Sequence, residues 1–378
     1  KAGASRQGKR ARYSHRLRML LSIITFIIVL GLLVFIHEFG HFTVAKLTGM
    51  RVDEFAIGFP PRLYGIKKGE TTYALNAIPL GGYVRIHGEN PEAPVDHDVR
   101  SFNARPILAR IAVIVAGVIM NVLLAFVVLT VAFSVGFSSI SQDLTQVPGN
   151  HVKKNEVLVA EVLPSTAAAK AGLQPGDQFV SVSGQAVTTA QSLQAITKEH
   201  QAESKLPVTV TVLRSGSDIT VPAKLAATGT ALGVALDEEQ VVSVPFYRAP
   251  LVAAKEIGSI LGLTWTALGQ FADKLFVHGK LDQDVSGPVG IYQATATAVH
   301  TGFASVVFLL VALSLNLALM NILPIPALDG GKLFFLLLEA IFRKRVVAEH
   351  IENIVNATGF VLIMLLIVVL SVRDLIHL

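Results

Sequence analysis

Residues 19–41 read MLLSIITFIIVLGLLVFIHEFGH. Met19 to Ile36 carries no charge, and with the residues up to Leu47 it is long enough to cross a hydrocarbon core about 30 Å thick at about 1.5 Å per residue. The run ends in His37-Glu38-Phe39-Gly40-His41. On a helix, residues four apart share a face, so His37 and His41 project together. Two imidazoles so placed can hold a metal ion, for which zinc is the natural fit, while Glu38 can polarise a metal-bound water. The five-residue pattern alone is common, and a helix end with interfacial histidines is the other reading. Ionisable groups at membrane depth are costly and mark function.

Composition agrees with the span. Of 378 residues, 52% are hydrophobic and only 16% charged, which suits a membrane protein with a soluble part. The net charge of +5 does not point to nucleic acid, because the basic residues gather beside apolar runs. The chain has no cysteine, so any metal site must draw on His, Asp or Glu.

Working outward, residues 1–18 form a basic tail that is either native, a processed remnant or non-native, with Met19 a natural start. The first span covers 19–47. Residues 48–106 are too apolar for an ordinary loop and too interrupted for a span. Thr71–Ile78 and Tyr83–Ile86 read as strands with Pro79-Leu80-Gly81-Gly82 as a turn between them, and Gly58-Phe59-Pro60-Pro61 reads as a further breaker. The segment is either a membrane-associated β-hairpin or a small soluble one.

A second span occupies 107–136. Its one strongly polar residue, Asn121, reads as a hydrogen-bonding contact between helices. Residues 150–228 alternate strand-like and helical stretches around the turn Leu173-Gln174-Pro175-Gly176-Asp177 and predict a small α+β domain outside the membrane. The segment 245–300 predicts an amphipathic helix, either juxtamembrane or buried in that domain. The third span, within 303–342, breaks at Asn321-Ile322-Leu323-Pro324-Ile325-Pro326-Ala327-Leu328-Asp329-Gly330-Gly331, and 354–373 is the fourth.

With four spans both termini share a side. Arg343-Lys344-Arg345 and the seven Lys/Arg of the 48–106 loop place those segments in the cytoplasm and the 150–228 domain outside it. The basic tail, also with seven Lys/Arg, then breaks the rule.

Asp329 lies where the third span breaks, flanked by apolar residues and two glycines. As a charge at membrane depth it needs a partner, and a metal held by His37 and His41 supplies one. Two His and one carboxylate leave a fourth position for water, which Glu38 can deprotonate as general base. The plainer reading is that Asp329 caps a helix or opens a turn with Gly330.

These features together resemble the site-2 protease family of intramembrane zinc metalloproteases, in particular the bacterial regulator-of-sigma-E-protease-like type with one PDZ domain. The likeness rests on His37–His41, the 321–331 run, Gly81-Gly82-Tyr83-Val84, Ser286-Gly287-Pro288-Val289-Gly290-Ile291, and Ser165, Ala168 and Ala169 with 171–177. It implies a multi-span α-helical membrane protein of four transmembrane helices, with a membrane-associated β-hairpin and an inserted α+β PDZ domain. It implies one zinc ion on His37, His41 and Asp329, with Glu38 as base. It also implies substrate binding by Asn321, Pro324, Pro326, Gly81, Gly82, Tyr83 and Val84. The expected substrates are single-span membrane proteins already trimmed by another protease, cut within the bilayer of the inner membrane as in anti-sigma-factor or signal-peptide-remnant cleavage. The PDZ domain is expected to exclude substrates that keep a large ectodomain. Three details depart from the family pattern, one being Gly58-Phe59-Pro60-Pro61 in place of the usual glycine-rich version. Ala116-Gly117-Val118 precedes Asn121 where relatives often carry Gly-Pro, and a carboxylate-binding loop is represented only by Leu232-Gly233-Val234. The competing reading is a non-catalytic PDZ-containing receptor or scaffold, and a metal transporter is more distant.

Overall fold

The computed structural model describes residues 2–89, 98–139, 144, 147–203, 207–214, 216–226, 232–279 and 287–376. Ser286 and position 228, the expected domain end, lie outside these. The chain divides into two compact units, Lys1–Val128 with Ile257–Leu378, and Leu129–Glu256.

In the first unit, α1 (Ala2–Leu47) leads into β1 (Val52–Lys68) and β2 (Thr71–Ile86); α2 (Ile107–Val135) begins in it and runs past its boundary at Val128. The strand expectations need correction. β2 is continuous, and residues 79–82 are not the hairpin turn; the chain reverses at Gly69-Glu70 instead. Gly58-Phe59-Pro60-Pro61 lies inside β1 rather than breaking it. The reason is pairing that sequence periodicity does not reveal. Ala56 faces Ala74 on one side and Tyr83 on the other, and Ile57 likewise faces Leu75 and Gly82. Residues 82–86, 52–57, 71–76 and 62–68 therefore lie side by side in that order, with 77–81 carrying the chain across the end of 52–57. Among the described residues no further strand pairs with 82–86, so it is a free edge.

The sheet is fastened to the end of α1. Phe42 packs on Phe55 and Tyr73 at ring separations of 5.1 and 5.9 Å, and Phe35 meets Phe55 edge-on at 5.9 Å. Below these rings, Ala45, Met50, Val52, Ile86, Val113 and Ile114 share one buried cluster. Aromatic burial of this kind dominates local packing energy. At the hairpin turn, Lys46 donates to Glu70 at 2.7 Å and Arg100 donates to it at 2.6 Å. Lys46 foremost, and then Arg100, holds the Glu70 carboxyl below its ordinary range. Buried Glu54 receives Arg62 and Arg85 from two flanking segments.

The later helices are α5 (Ala249–Phe276), α6 (Pro288–Thr301), α7 (Phe303–Ile322), α8 (Asp329–Phe342) and α9 (Glu349–Ile376). α6 starts with Pro288 in its first turn. Leu323 precedes a proline, takes extended dihedrals and ends α7. Asp374 accepts from the Gly287 and Gly290 amides at 2.8 and 3.1 Å, tying the end of α9 to the start of α6. Among the described residues five helices are long and apolar enough to cross a membrane: Met19–Leu47, Ile107–Val135, Ala249–Lys274, Phe303–Ile322 and His350–Ile376. The third of these is the segment read from sequence as juxtamembrane or buried; it carries Lys255, Glu256, Asp273 and Lys274.

The second unit is α+β. Its antiparallel sheet runs β7 (Ser217–Ala223), β6 (Val208–Arg214), β4 (Gln178–Val182), β3 (His151–Val162), β8 (Val234–Ser243), with the short β5 (Gln185–Ala186) on β4. α3 (Ala167–Ala171) and α4 (Ala190–Glu203) complete it. Val157, Val159, Phe179, Val210 and Val212 form its core with Leu193 and Ile196 of α4. The expected turn at 173–177 is present and is locked by buried Asp177. That carboxylate accepts from the Gln174 amide at 2.8 Å and from Arg214 Nε and Nη2, each at 2.6 Å. β8, not read as a strand from sequence, pairs along β3 from Val162↔Val234 to His151↔Ser243, so the fold continues past residue 228. The Leu232 and Gly233 carbonyls accept from the Ala168 and Leu163 amides, so this loop is tied to the start of α3.

Candidate metal centre

α1 presents His37 and His41 on one face, as their spacing requires. α7 ends at Ile322, and the first residue of α8 is Asp329. Three atoms converge there. His37 Nε2 stands 2.9 Å from Asp329 Oδ2, His41 Nε2 stands 3.2 Å from the same oxygen, and the two Nε2 atoms are 3.1 Å apart. This is the group among the described residues that could hold a metal ion.

The triangle has the right size. Ligand atoms bound tetrahedrally to zinc at about 2.0–2.1 Å stand about 3.3–3.4 Å from one another. The three edges need open by only a few tenths of an ångström. The outer ring nitrogens are also held. His41 Nδ1 donates to the Val113 carbonyl at 2.8 Å, which leaves the Nε2 lone pair facing the triangle. His37 Nδ1 lies 3.3 Å from Asn121 Nδ2, and Asn121 Oδ1 has no partner among the described residues. With Oδ1 turned to the ring, Asn121 accepts the Nδ1 proton and likewise frees His37 Nε2. Asn121 is itself fully buried, and Ser314 of α7 donates to its carbonyl at 2.8 Å.

Two glycines make the approach possible. A methyl carbon at Gly117 would lie 2.5 Å from His41 Nε2 and 2.7 Å from His37 Cε1. Any side chain there would occupy the space of the imidazoles. A methyl carbon at Gly330 would lie 1.9 Å from the Leu323 carbonyl oxygen, where the loop folds back over the start of α8. The Asp329 carboxylate in that first turn also faces the positive end of the helix dipole.

Glu38, next to the triangle on α1, meets the free strand edge: a methyl carbon at Gly82 would stand 3.5 Å from Glu38 Cγ. Tyr83 and Val84 continue that edge along a cavity of about 410 Å³, whose walls include Glu89, Lys332, Phe335 and Asn356. Lys332 donates to Glu89 at 2.7 Å across it. The structure thus brings His37, Glu38, His41, Asp329 and Gly82 into one neighbourhood, while Tyr83 and Val84, next along the strand, line the cavity. Gly81 lies in the crossing stretch just before the edge. Asn321 is buried in the last turn of α7, and Pro324 and Pro326 lie in the loop that leads to Asp329.

Sequence reasoning did not find the roles of Asn121 and Gly117. A signal existed: the two are four residues apart and share one face of α2. Nothing in the sequence, however, says that this face meets α1 at the histidines.

The chain matches the model of peptidase family M50 over residues 25–366. It is 34% identical over 363 residues to CPE1693 of Clostridium perfringens, covering 94% of this chain and 98% of that protein, whose name describes a zinc metalloprotease. The protein all3971 of Nostoc, described in the same words, is 34% identical over 366 residues, covering 94% of this chain and 96% of its own. The regulator of sigma-W protease RasP of Bacillus subtilis is 29% identical over 437 residues, covering 93% of this chain and 98% of its own.

Proposed function

The chain belongs to peptidase family M50, the site-2 proteases, and from that premise we propose that this zinc metalloendopeptidase cuts single-span membrane proteins within the bilayer. The observation that carries the reading is the convergence of His37, His41 and Asp329 at ligand spacing beside Glu38 and a free strand edge.

His37, His41 and Asp329 hold the zinc. When bound, the metal acidifies a water and polarises the scissile carbonyl. Glu38 takes the proton of the attacking water on its carboxylate and passes it to the departing amide nitrogen. A helical substrate hides its peptide bonds in internal hydrogen bonds, so cleavage needs an extended stretch. Gly82, Tyr83 and Val84 offer that stretch a strand to pair with, beside Glu38. Gly81, Asn321, Pro324 and Pro326 complete the substrate groove.

Four helices cross the membrane. α1 carries the two histidines in its C-terminal part and α7 leads, through the loop after Ile322, to Asp329, so both run toward the metal centre in the same direction, and α2 returns the chain. The end of α2 and the start of α7 are then on one side. α6, with 14 residues, spans only about 21 Å, too short to undo a crossing by α5. α5 therefore lies along the bilayer. Exposed Leu63, Tyr64 and Ile66 suit a sheet that dips into it. The membrane is the inner membrane, with the metal centre toward the cytoplasm and residues 150–228 outside it. The latter act as a PDZ domain that admits substrates with trimmed ectodomains.

The test uses the purified chain in lipid vesicles with a single-span protein lacking its ectodomain, the products being mapped by mass spectrometry. The expected cut lies inside the apolar segment, is lost with a zinc chelator and returns with added zinc. Cleavage confined to exposed loops, or indifferent to chelation, contradicts the proposal.

A further inference from the structure

The place of Asp329 depends on residues 323–328, the loop between α7 and α8. Within it the Ile325 amide donates to Leu323 O at 2.7 Å and the Leu328 amide to Ile325 O at 3.2 Å. These bonds leave out Ala327, which has a φ of 72°. A residue with a Cβ disfavours that left-handed conformation, and it persists only where the surroundings impose it.

The imposing contact comes from α9. The Ala327 amide donates to Asn356 Oδ1 at 3.2 Å. On the same face, one turn later, a methyl carbon at Gly359 would lie 2.4 Å from Pro326 Cβ and 2.8 Å from Pro326 O. α9 thus seats two consecutive loop residues, by an acceptor for one and by room for the other. Ala327 is two residues before Asp329. Its conformation sets the direction in which the chain enters α8, and with it the distance of the carboxylate from His37 and His41.

We propose that Asn356 is a positioning residue for the metal centre: it holds Ala327 in its left-handed conformation and so fixes the Asp329 carboxylate against His37 and His41. This rests on Asp329 being a ligand, which the Asp329→Ala variant tests separately without touching the loop.

The experiment measures zinc affinity of the full-length chain in detergent by chelator competition, and the visible spectrum of the cobalt-loaded chain. Asn356→Leu keeps the side-chain size and suits an apolar helix. It is expected to weaken zinc binding about tenfold or more, the loss typical when the support of a metal ligand is removed, and to shift the cobalt bands. Adding Ala327→Gly should restore most of the affinity, because glycine adopts this φ without penalty. Asn356→Asp keeps an acceptor oxygen and should bind zinc as the unaltered chain does. Unchanged affinity and cobalt spectrum in Asn356→Leu overturn the proposal. So does a loss that Ala327→Gly fails to reduce, which would mark a general weakening of α9. If Asn356→Leu does not fold, Asn356→Ser, whose hydroxyl is too short to reach the Ala327 amide, replaces it with the same deciding outcomes.

Discussion

Glu38→Gln will lower peptide-bond cleavage about a thousandfold while the chain keeps its zinc. General-base catalysis contributes about 10²–10⁴ to a rate, and an amide cannot take the proton. Glutamine has nearly the shape of glutamate, so the contact with Gly82 at the strand edge survives. Glu38 is not part of the triangle formed by His37, His41 and Asp329, so metal affinity should change little. Turnover of a trimmed single-span substrate and zinc content by mass spectrometry check both halves. Turnover within tenfold of the unaltered enzyme would remove Glu38 as the base. Loss of zinc along with activity would make it a ligand instead.

Asp329→Ala will lose zinc and cleavage together, with affinity falling more than a hundredfold. Even the groups that merely orient metal ligands cost about 10–100-fold when removed, and a ligand costs more. The competing role for Asp329, a carboxylate in the first turn of α8, is worth only about 0.3–1 kcal/mol. That corresponds to a factor of roughly two to five, so magnitude alone separates a ligand from a cap. Titration against a zinc chelator supplies the number. A dissociation constant within fivefold of the unaltered chain would place Asp329 outside the metal's coordination.

The centre was legible in the sequence where spacing along one helix, or a break in another, reports chemistry directly. His37 and His41 needed only helical periodicity, and Asp329 only an unexplained charge in an apolar span. The groups packed around it were not legible, because their partners are far along the chain. Asn121 read as a contact between helices, and it is one; that its amide meets His37, 84 residues away, is a fact of tertiary packing. Residues 71–78 and 83–86 read as separate strands, and they do face opposite sides of 52–57, but the crossing at 77–81 replaced the expected turn. β8 was invisible because Asp237, Glu238 and Glu239 oppose strand propensity, and pairing with β3 overrides it. α5 combines apolar length with four charges, and sequence alone does not decide between a span and a surface helix.

The most direct measurement of the central claim is X-ray absorption at the zinc edge on the full-length chain. The chain has 11 histidines and no cysteine, so many nitrogen-rich shells are conceivable and no thiolate shell is. The expected spectrum shows two imidazoles and otherwise oxygen at about 2.0–2.2 Å. A shell with three or more imidazoles, or a chain that retains no zinc, would contradict the account.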